Sequence, residues 1–386
     1  MLHIYIDKDT LAKIYVKEKD KEDENQNTWY KIFKKQDCIY VNSASDIKSD
    51  YSDEIYDMES QDNSDEQLLN QLYRLQQLAD FQKGYHVYLK KSNIINMDDI
   101  VNNPTEVHKD PCAIYLLNID KETAEKIQRE YGVICQSTDN LDDSILTEGF
   151  IDMSPHYGDR DYGWERVLKM HKKHPSNAVI INDRNLFSNE TLDSESGKPG
   201  NRLGIENLYE ILNAIIPKKF CGDYQVFLCF DKSSLNSNVN EDYICKQIQS
   251  LIKRLKRRGT IVIEVLVLHG DSSPKYNLTH NRRVLTNYFI LTAEHMLKAF
   301  DDTKSVSTQH ITGYKLFNFG LYDNNDAPEK LHRDTIRDFK ALYNYYIDHP
   351  DNEYYTYYFM DTYKETSKNT DTKQKIKTVI NRILAN

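Results

Sequence analysis

The chain has 386 residues, of which 39% are hydrophobic and 28% charged, so it is long enough for two folded domains. The 50 Lys and Arg against 60 Asp and Glu give a net charge of −10. This balance excludes a surface coated in positive charge for non-specific nucleic-acid binding, but it permits a local basic groove. The cysteines form no CxxC pair or zinc-like group and lie mostly in apolar runs, which indicates buried, reduced thiols in a cytoplasmic protein.

The first segment, residues 1–145, alternates short apolar strands with helical patterns, which predicts an α/β domain with a largely parallel sheet. Residues 46–66 carry a dense run of acids against the single cation Lys48, as is typical of a solvated loop. In chain order the pattern predicts strands at 3–7 and 37–42, a helix at 67–83, a strand at 112–117, a helix at 121–131 ended by Gly132, and a strand at 133–136.

The second segment, residues 160–330, follows a connector rich in Asp, Gly and Pro and repeats the alternation of strand and helix. This segment is therefore also predicted to be an α/β domain, and residues 331–386 are predicted to form a helical tail. In chain order we expect a helix at 165–174, a strand at 178–181, a helix at 207–216, a strand at 225–230, a helix at 242–258 capped by Gly259, and strands at 260–268, around 282–290 and at 314–322. No apolar run is long enough to span a bilayer, and the first residues lack the pattern of a signal peptide.

Three acids, Asp7, Asp46 and Asp120, follow predicted strands of the first segment. Carboxylates at the carboxyl ends of parallel strands converge on one crevice, where they could hold one or two Mg²⁺ or Mn²⁺ ions for phosphodiester hydrolysis. The placement resembles that of PIN-like nuclease domains, and the resemblance implies catalytic, metal-binding roles for these three acids. The alternative is unrelated surface acids, because Asp is common in turns.

His280 and Arg282 lie two positions apart ahead of an apolar strand, so on an extended backbone they point to the same face. An imidazole beside the planar donor fork of Arg predicts a site for a phosphate or another anion. Asp183 and Arg184 end a neighbouring strand and would complete the pocket. The alternatives are an exposed polar edge, a salt bridge between domains, or an Asp183 that only fixes Arg282.

A basic run ends the predicted helix 242–258. Such a run could follow the phosphate backbone of a nucleic acid or of a lipid surface. The alternative is a solvated helix end whose cations complement the helix dipole. Its members are Lys253, Arg254, Lys256, Arg257 and Arg258.

Several motifs of residues 164–300 carry a resemblance to a known family. They are Ile181-Asn182-Asp183-Arg184, Leu255-Lys256-Arg257-Arg258-Gly259, Ile263-Glu264-Val265 and His280-Asn281-Arg282. In this order they resemble the phospholipase D-like C-terminal domain of the eukaryotic MIT-domain midbody proteins. Asn281 replaces the central acid of that family's His-Asp-Arg triplet, and the usual Gly-x-Gly is absent around residues 294–296. The family lacks the paired His-Lys-Asp motifs of active phospholipases, so the resemblance implies a domain for binding or sensing.

Two functions are therefore expected. The first is a metal-dependent nuclease-type effector of a prokaryotic defence or conflict system, whose second domain recognises nucleic acid or a trigger. The second is a non-catalytic adaptor that binds partner proteins or further copies of itself. Phosphodiester chemistry at His280 is a third reading. No phosphate-cradling glycine loop and no G-x-S-x-G turn is present, which argues against nucleotide hydrolysis and serine hydrolase chemistry.

Overall fold

The computed structural model of the chain describes residues 3–7, 10, 38–41, 88–91, 95–142, 150–152, 164, 175–193, 195–270, 280–294, 296–297, 311–315, 328–348, 354–363, 367–368 and 381–385. The chain divides into two compact units, Met1–Thr147 (unit 1) and Glu148–Asn386 (unit 2). Each unit has its own sheet with helices, so the predicted α/β class is confirmed. Among the residues placed, no helix is long and apolar enough to cross a membrane.

Unit 1 is built on a five-stranded sheet in the order β3-β2-β1-β4-β5, and every neighbouring pair is parallel. Its strands are β1 (Ile4–Ile6), β2 (Cys38–Val41), β3 (Tyr88–Lys91), β4 (Ile114–Leu117) and β5 (Ile134–Ser137). Helix α1 (Lys121–Tyr131) joins β4 to β5, and Gly132 ends it in the left-handed conformation (φ 67°), as the sequence predicts. The predicted helix 67–83 lies outside the described residues.

The strand order of unit 1 indicates where a ligand-binding crevice is expected. From β1 the chain moves to β2 and β3 on one side, whereas β4 and β5 lie on the other side. In open parallel sheets, ligands bind outside the carboxyl ends of the strands where the order reverses in this way. The carboxyl ends of β1 and β4 therefore mark the place where a ligand of unit 1 is expected.

Unit 2 is built on a nine-stranded mixed sheet in the order β14-β13-β9-β8-β7-β10-β11-β12-β6. The three central strands β7, β8 and β9 are parallel, and the flanking pairs are antiparallel. The strands are β6 (Phe150–Asp152), β7 (Ala178–Asn182), β8 (Asp223–Asp231), β9 (Thr260–Leu268), β10 (Arg282–Thr286), β11 (Phe289–Ala293), β12 (Ile311–Lys315), β13 (Tyr355–Asp361) and β14 (Ser367–Lys368).

Helices cover both faces of this sheet. Alternate side chains of β7, β8 and β9 point to opposite faces of the sheet. On one face, these side chains pack against α2 (Leu203–Ile215) and α3 (Glu241–Arg254). On the other face, α4 (Pro328–Asp348) and the single turn α5 (Arg382–Ala385) close a second apolar cluster. Both faces are buried, which explains why β9 is a continuous run of β-branched and aliphatic residues interrupted only by Glu264.

Three expectations about unit 2 were wrong. The tail 331–386 is not only helical, because Tyr355–Asp361 pairs antiparallel with β9 in the interior of the sheet. This segment is rich in aromatic residues, which favour strands. The predicted connector contains β6, which pairs with β12. Helix α3 ends at Arg254 instead of Arg258, and Lys256 takes the left-handed conformation (φ 48°) that was expected at Gly259.

Candidate functional site

Four predicted site residues of unit 2 lie at one edge of its sheet. Strand β10 runs antiparallel to β7, with Arg283 opposite Asn182. The residues after β7 and those before or at the start of β10 are therefore neighbours. The side-chain amide of Asn182 closes the edge by donating to the carbonyl of Asn281 at 2.6 Å. We call the group Asp183, Arg184, His280 and Arg282 the polar edge.

Asp183 is the buried member of the polar edge, with no exposed surface. Its carboxylate accepts the backbone N–H of Leu297 at 2.7 Å and that of Asn185 at 2.9 Å. Arg282 places Nε 3.6 Å from Oδ1 of Asp183, and its Nη1 donates to the carbonyl of Glu294 at 2.7 Å. Burial raises the pKa of Asp183 to about 6, and these donors and Arg282 act in the opposite direction. Asp183 thus fixes Arg282, as the structural alternative predicted.

The exposed His280 and the partly buried Arg184 form the second half of the polar edge. Nη1 of Arg184 lies 3.0 Å from Nε2 and 3.3 Å from Nδ1 of His280. One nitrogen cannot be in line with the lone pairs of both ring nitrogens, so the guanidinium lies over the imidazole face. Ser234 donates its hydroxyl to the carbonyl of Arg184 at 2.5 Å, which fixes the backbone beneath this contact. The arrangement places two nitrogen-rich groups side by side at the surface.

The predicted pairing of His280 with Arg282 on one strand face is not what the structure contains. His280 lies in a helical turn before β10, and the strand itself begins at Arg282. The alternation of an extended backbone therefore does not apply to this pair. The four residues still share one edge, but as two contacts, His280 with Arg184 and Arg282 with Asp183.

Asp231 is a residue of this edge that the sequence analysis missed. It ends β8, next to β7, and has no exposed surface. One carboxylate oxygen accepts the N–H of Ser233 at 2.8 Å, whereas Oδ2 is buried with no hydrogen-bond partner in the part of the chain that is described. The signal was available, because an acid at the end of a parallel strand is the same pattern that identified Asp183.

One member of the basic run, Arg257, is turned into the protein, and the other four are exposed. Arg257 donates to the carbonyls of Ile216 (2.9 Å), Asn213 (2.9 Å) and Leu255 (2.8 Å), so this half-buried guanidinium holds the end of α2 against the end of α3. The donors of Arg257 are used within the protein, so this conformation does not favour its predicted phosphate-binding role, which stays a prediction. Arg254 stacks on the ring of Tyr209 at 4.1 Å. Lys253, Lys256 and Arg258 are exposed.

In unit 1, Asp7 lies at the crevice between β1 and β4. Its side chain accepts the backbone N–H of Asn118, which directly follows β4, and its own N–H donates to Leu116 at 3.1 Å. Beside it, Thr10 and Thr138 share a buried hydrogen bond, and the Thr138 hydroxyl also donates to the carbonyl of Leu117 at 3.0 Å. Asp7 therefore lies at the carboxyl ends of β1 and β4, and its predicted metal-binding role stays a prediction.

Asp120 has a different role from the one predicted. It is the N-cap of α1: Oδ1 accepts the N–H of Thr123 at 2.8 Å, and Oδ2 accepts the Thr123 hydroxyl at 2.6 Å. These bonds lower the pKa of Asp120. Each carboxylate oxygen of Asp120 thus accepts one hydrogen bond from Thr123, and the predicted metal-binding role of Asp120 stays a prediction. Asp46 lies outside the described residues, and within those residues no three His, Cys, Asp or Glu side chains are grouped to hold a metal.

No protein-family model matches this chain, and no curated protein matches it either. The resemblances to the phospholipase D-like and PIN-like domains therefore remain predictions based on the quoted motifs. What the geometry itself offers is a polar edge in unit 2 with a partly exposed guanidinium and an exposed imidazole, together with a buried acid and a second arginine. Such a set of donors suits an anionic group with several acceptor oxygens.

Proposed function

We propose that this protein binds the phosphate backbone of nucleic acid at the polar edge of unit 2. The observation that supports the proposal is the contact of Arg184 with His280, with Nη1 3.0 Å and 3.3 Å from the two ring nitrogens. Arg carries a permanent charge, and stacking it on an imidazole gains little by itself when the imidazole is protonated. A phosphate oxygen between their donors converts this juxtaposition into two charge-assisted hydrogen bonds.

The buried acid prepares this edge for binding. Asp183 holds the Arg282 side chain, which is 16% exposed, and Glu294 receives its second donor. The Arg282 side chain is thereby held in place at this edge without needing to be ordered by the ligand. A preorganised donor set binds with a smaller loss of side-chain entropy than a mobile one. The net charge of −10 makes a local site of this kind more consistent with the sequence than a broad basic surface.

Binding is tested by fluorescence anisotropy with labelled single- and double-stranded RNA and DNA. Replacing Arg184 by Ala should weaken binding of the preferred nucleic acid by about tenfold or more and reduce the salt dependence of the affinity. Arg333→Ala is the matched control, because Arg333 is an exposed arginine of α4 in the same unit. Equal loss in both variants would contradict a site at the polar edge. Absence of binding by the unaltered protein would favour the adaptor function, and a partner protein would be sought.

Cleavage of the bound nucleic acid by unit 1 is a second candidate, as expected for a nuclease-type effector of a prokaryotic defence system. The observation that favours it is the position of Asp7 at the carboxyl ends of β1 and β4, where the strand order reverses. Asp120 caps α1, so we do not build the cleavage proposal on it. We therefore propose that metal-dependent cleavage requires Asp7, and we assign no further metal ligand among the described residues.

The cleavage reaction is tested with the same nucleic acids in Mn²⁺, in Mg²⁺ and in EDTA. We expect products with a divalent metal and none with Asp7→Asn, with Asp98→Asn as the control because Asp98 is an exposed acid of the same unit. Cleavage that persists in Asp7→Asn would remove unit 1 from the reaction. Binding without cleavage under all three conditions would leave the protein as a nucleic-acid sensor.

A further inference from the structure

The opposite edge of the unit 2 sheet has a slot lined by hydrogen-bond acceptors. Four backbone carbonyls lie at or just before the beginnings of β7 and β8, and two side-chain oxygens join them. The slot is far in sequence from the segment that fills it, by 117 to 205 residues along the chain. We call it the acceptor slot; its acceptors are the carbonyls of Asn177, Val179, Asp223 and Gln225, Oε1 of Gln225 and Oε2 of Glu264.

Asn381 and Arg382 supply the donors that match this slot. Asn381 is fully buried, and its backbone N–H donates to Glu264 at 2.9 Å while its side-chain amide reaches Val179 at 3.1 Å and Gln225 at 3.3 Å. Arg382 donates its N–H to Oε1 of Gln225 at 2.7 Å, and its Nη1 reaches Asn177 at 3.0 Å and Asp223 at 2.8 Å. The slot therefore selects a donor-rich, cationic dipeptide over an acidic or apolar one.

The next two residues anchor the same segment by apolar contact. Ile383 and Leu384 are 1% and 3% exposed and join the apolar cluster beneath α4. The segment is also folded on itself, because Oδ1 of Asn381 accepts the N–H of Ile383, and its carbonyl accepts those of Leu384 and Ala385. It thus occupies the slot as one hydrogen-bonded turn. A short, self-capped turn with donors on one side and two aliphatic anchors on the other has the character of a peptide ligand.

Glu264 shows that the sheet is built to receive this ligand. It interrupts the apolar run of the central strand β9, and it is 1% exposed. Oε1 accepts the hydroxyl of Tyr357 at 2.6 Å, while Oε2 accepts the N–H of Asn381. A buried carboxylate is costly unless it is hydrogen-bonded, so the N–H of Asn381 contributes to stabilising the buried Glu264.

We propose that the acceptor slot is a peptide-recognition site for an Asn-Arg-aliphatic-aliphatic motif, and that Asn381–Ala385 of the same chain is its separable occupant. The proposal is independent of the polar edge, which lies at the other end of the parallel strands. Release of the segment uncovers a donor-selective slot beside an apolar surface. The chemistry of the slot defines its ligands as peptides with paired amide and guanidinium donors followed by two aliphatic side chains.

Hydrogen exchange of the unaltered protein tests whether the occupant is separable. The amides of Asn381 and Arg382 are bonded to Glu264 and Gln225, so they should exchange at least about tenfold more slowly than in a free peptide. They should also exchange at least about tenfold faster than the amides inside β8, because the turn opens without unfolding the sheet. Exchange as slow as that of β8 would overturn the proposal, since the segment would then be an inseparable part of the core.

Peptide binding tests the recognition itself in the full chain. Leu384→Asp places a charge on the buried anchor and should empty the slot, whereas Ala385→Asp changes the exposed neighbour and should leave it filled. A labelled synthetic peptide of residues 376–386 should bind Leu384→Asp with 1:1 stoichiometry, and at least about tenfold more weakly when its Arg382 is replaced by Ala. Equal binding of both peptides, or none to a Leu384→Asp protein that keeps its circular dichroism, would overturn the proposal. If the unaltered protein is a dimer and Arg382→Ala is a monomer, the segment occupies the slot of another copy, and the proposal of an intramolecular occupant is contradicted.

Discussion

The buried acid of the polar edge provides a quantitative test of the electrostatics of this site. Asp183 has no exposed surface, and burial raises its pKa from 3.8 to about 6 against the effect of the Leu297 and Asn185 donors and of Arg282. A group with a higher pKa in the folded state binds its proton more tightly when the protein is folded. Its contribution to stability is therefore fully present below the ordinary pKa and is lost as the pH rises through about 6.

The size of this effect follows from the two pKa values. At pH 7.5 the carboxyl is ionised in both states, and at pH 5 it is mostly protonated only in the folded state. One pH unit below a folded pKa of about 6 corresponds to about 1.4 kcal/mol of stability relative to pH 7.5. Asp183→Asn has no ionisable group there. We expect the unfolding free energy of the unaltered protein, minus that of Asp183→Asn, to increase by this amount as the pH falls from 7.5 to 5.

The assay is urea unfolding followed by tryptophan fluorescence. The chain has 2 tryptophans, so a Trp29→Phe background leaves Trp164, which is buried in unit 2, as the reporter. Asp193→Asn is the control, because the bonds from Ser196 lower the pKa of that exposed acid and its titration lies below the range of pH used. A difference for Asp183→Asn that stays constant or shrinks toward pH 5 would refute the reasoning. It would mean that the three donors outweigh burial.

Three further changes test other parts of the account. Arg257→Ala removes the donors to Asn213, Ile216 and Leu255, so it should lower the unfolding free energy of unit 2 by about 2 kcal/mol without weakening nucleic-acid binding. In the control, Arg258→Ala at an exposed position should change the unfolding free energy by no more than about 0.5 kcal/mol. Weaker binding by Arg257→Ala at unchanged stability would instead support a phosphate-binding role for Arg257. Asp120→Ala should lower the melting temperature of unit 1, because it removes the cap of α1. Asp120→Asn should preserve both the melting temperature and any cleavage. Loss of cleavage in Asp120→Asn at an unchanged melting temperature would contradict a purely capping role. Gly204→Ala places a Cβ 2.3 Å from the carbonyl of Leu186 and should cost about 2 kcal/mol in a thermal or urea melt; an unchanged melt would show that α2 can shift.

Local sequence patterns predicted the elements whose signals are strongest. Strand β9 was expected at the residues where it occurs, because a run of β-branched and aliphatic residues favours a strand buried on both faces. Gly132 ends α1 in the conformation that only glycine adopts without strain. The strand β13 was missed because its aromatic residues lie in a segment expected to be helical, and its partner β9 lies far away in sequence. Pairing over such separations leaves little trace in a local pattern.

The polar edge was predicted only in part, because some of its contacts join residues that are far apart in the sequence. Asp183 was identified because it follows the end of a predicted parallel strand. Asp231 has a similar position at the end of the next strand, but the same criterion was not applied to it. The contact of Arg184 with His280 joins residues 96 positions apart, so only the antiparallel pairing of β7 and β10 brings them together. The basic run was misjudged because α3 ends at Arg254, which turns Arg257 inward. Helix termini depend on tertiary contacts more than on composition.

The most direct test of the proposed function observes His280 while nucleic acid binds. Nitrogen-15 spectra of the histidine rings, with His280 assigned through His280→Gln, can be followed during titration with a short oligonucleotide that has an internal phosphodiester. We predict a saturable shift of both His280 ring nitrogens, since Arg184 lies over the ring and the phosphate would lie beside it. The shift should be lost in Arg184→Ala and kept in Arg333→Ala. Binding that leaves the His280 signals unchanged would contradict recognition at the polar edge.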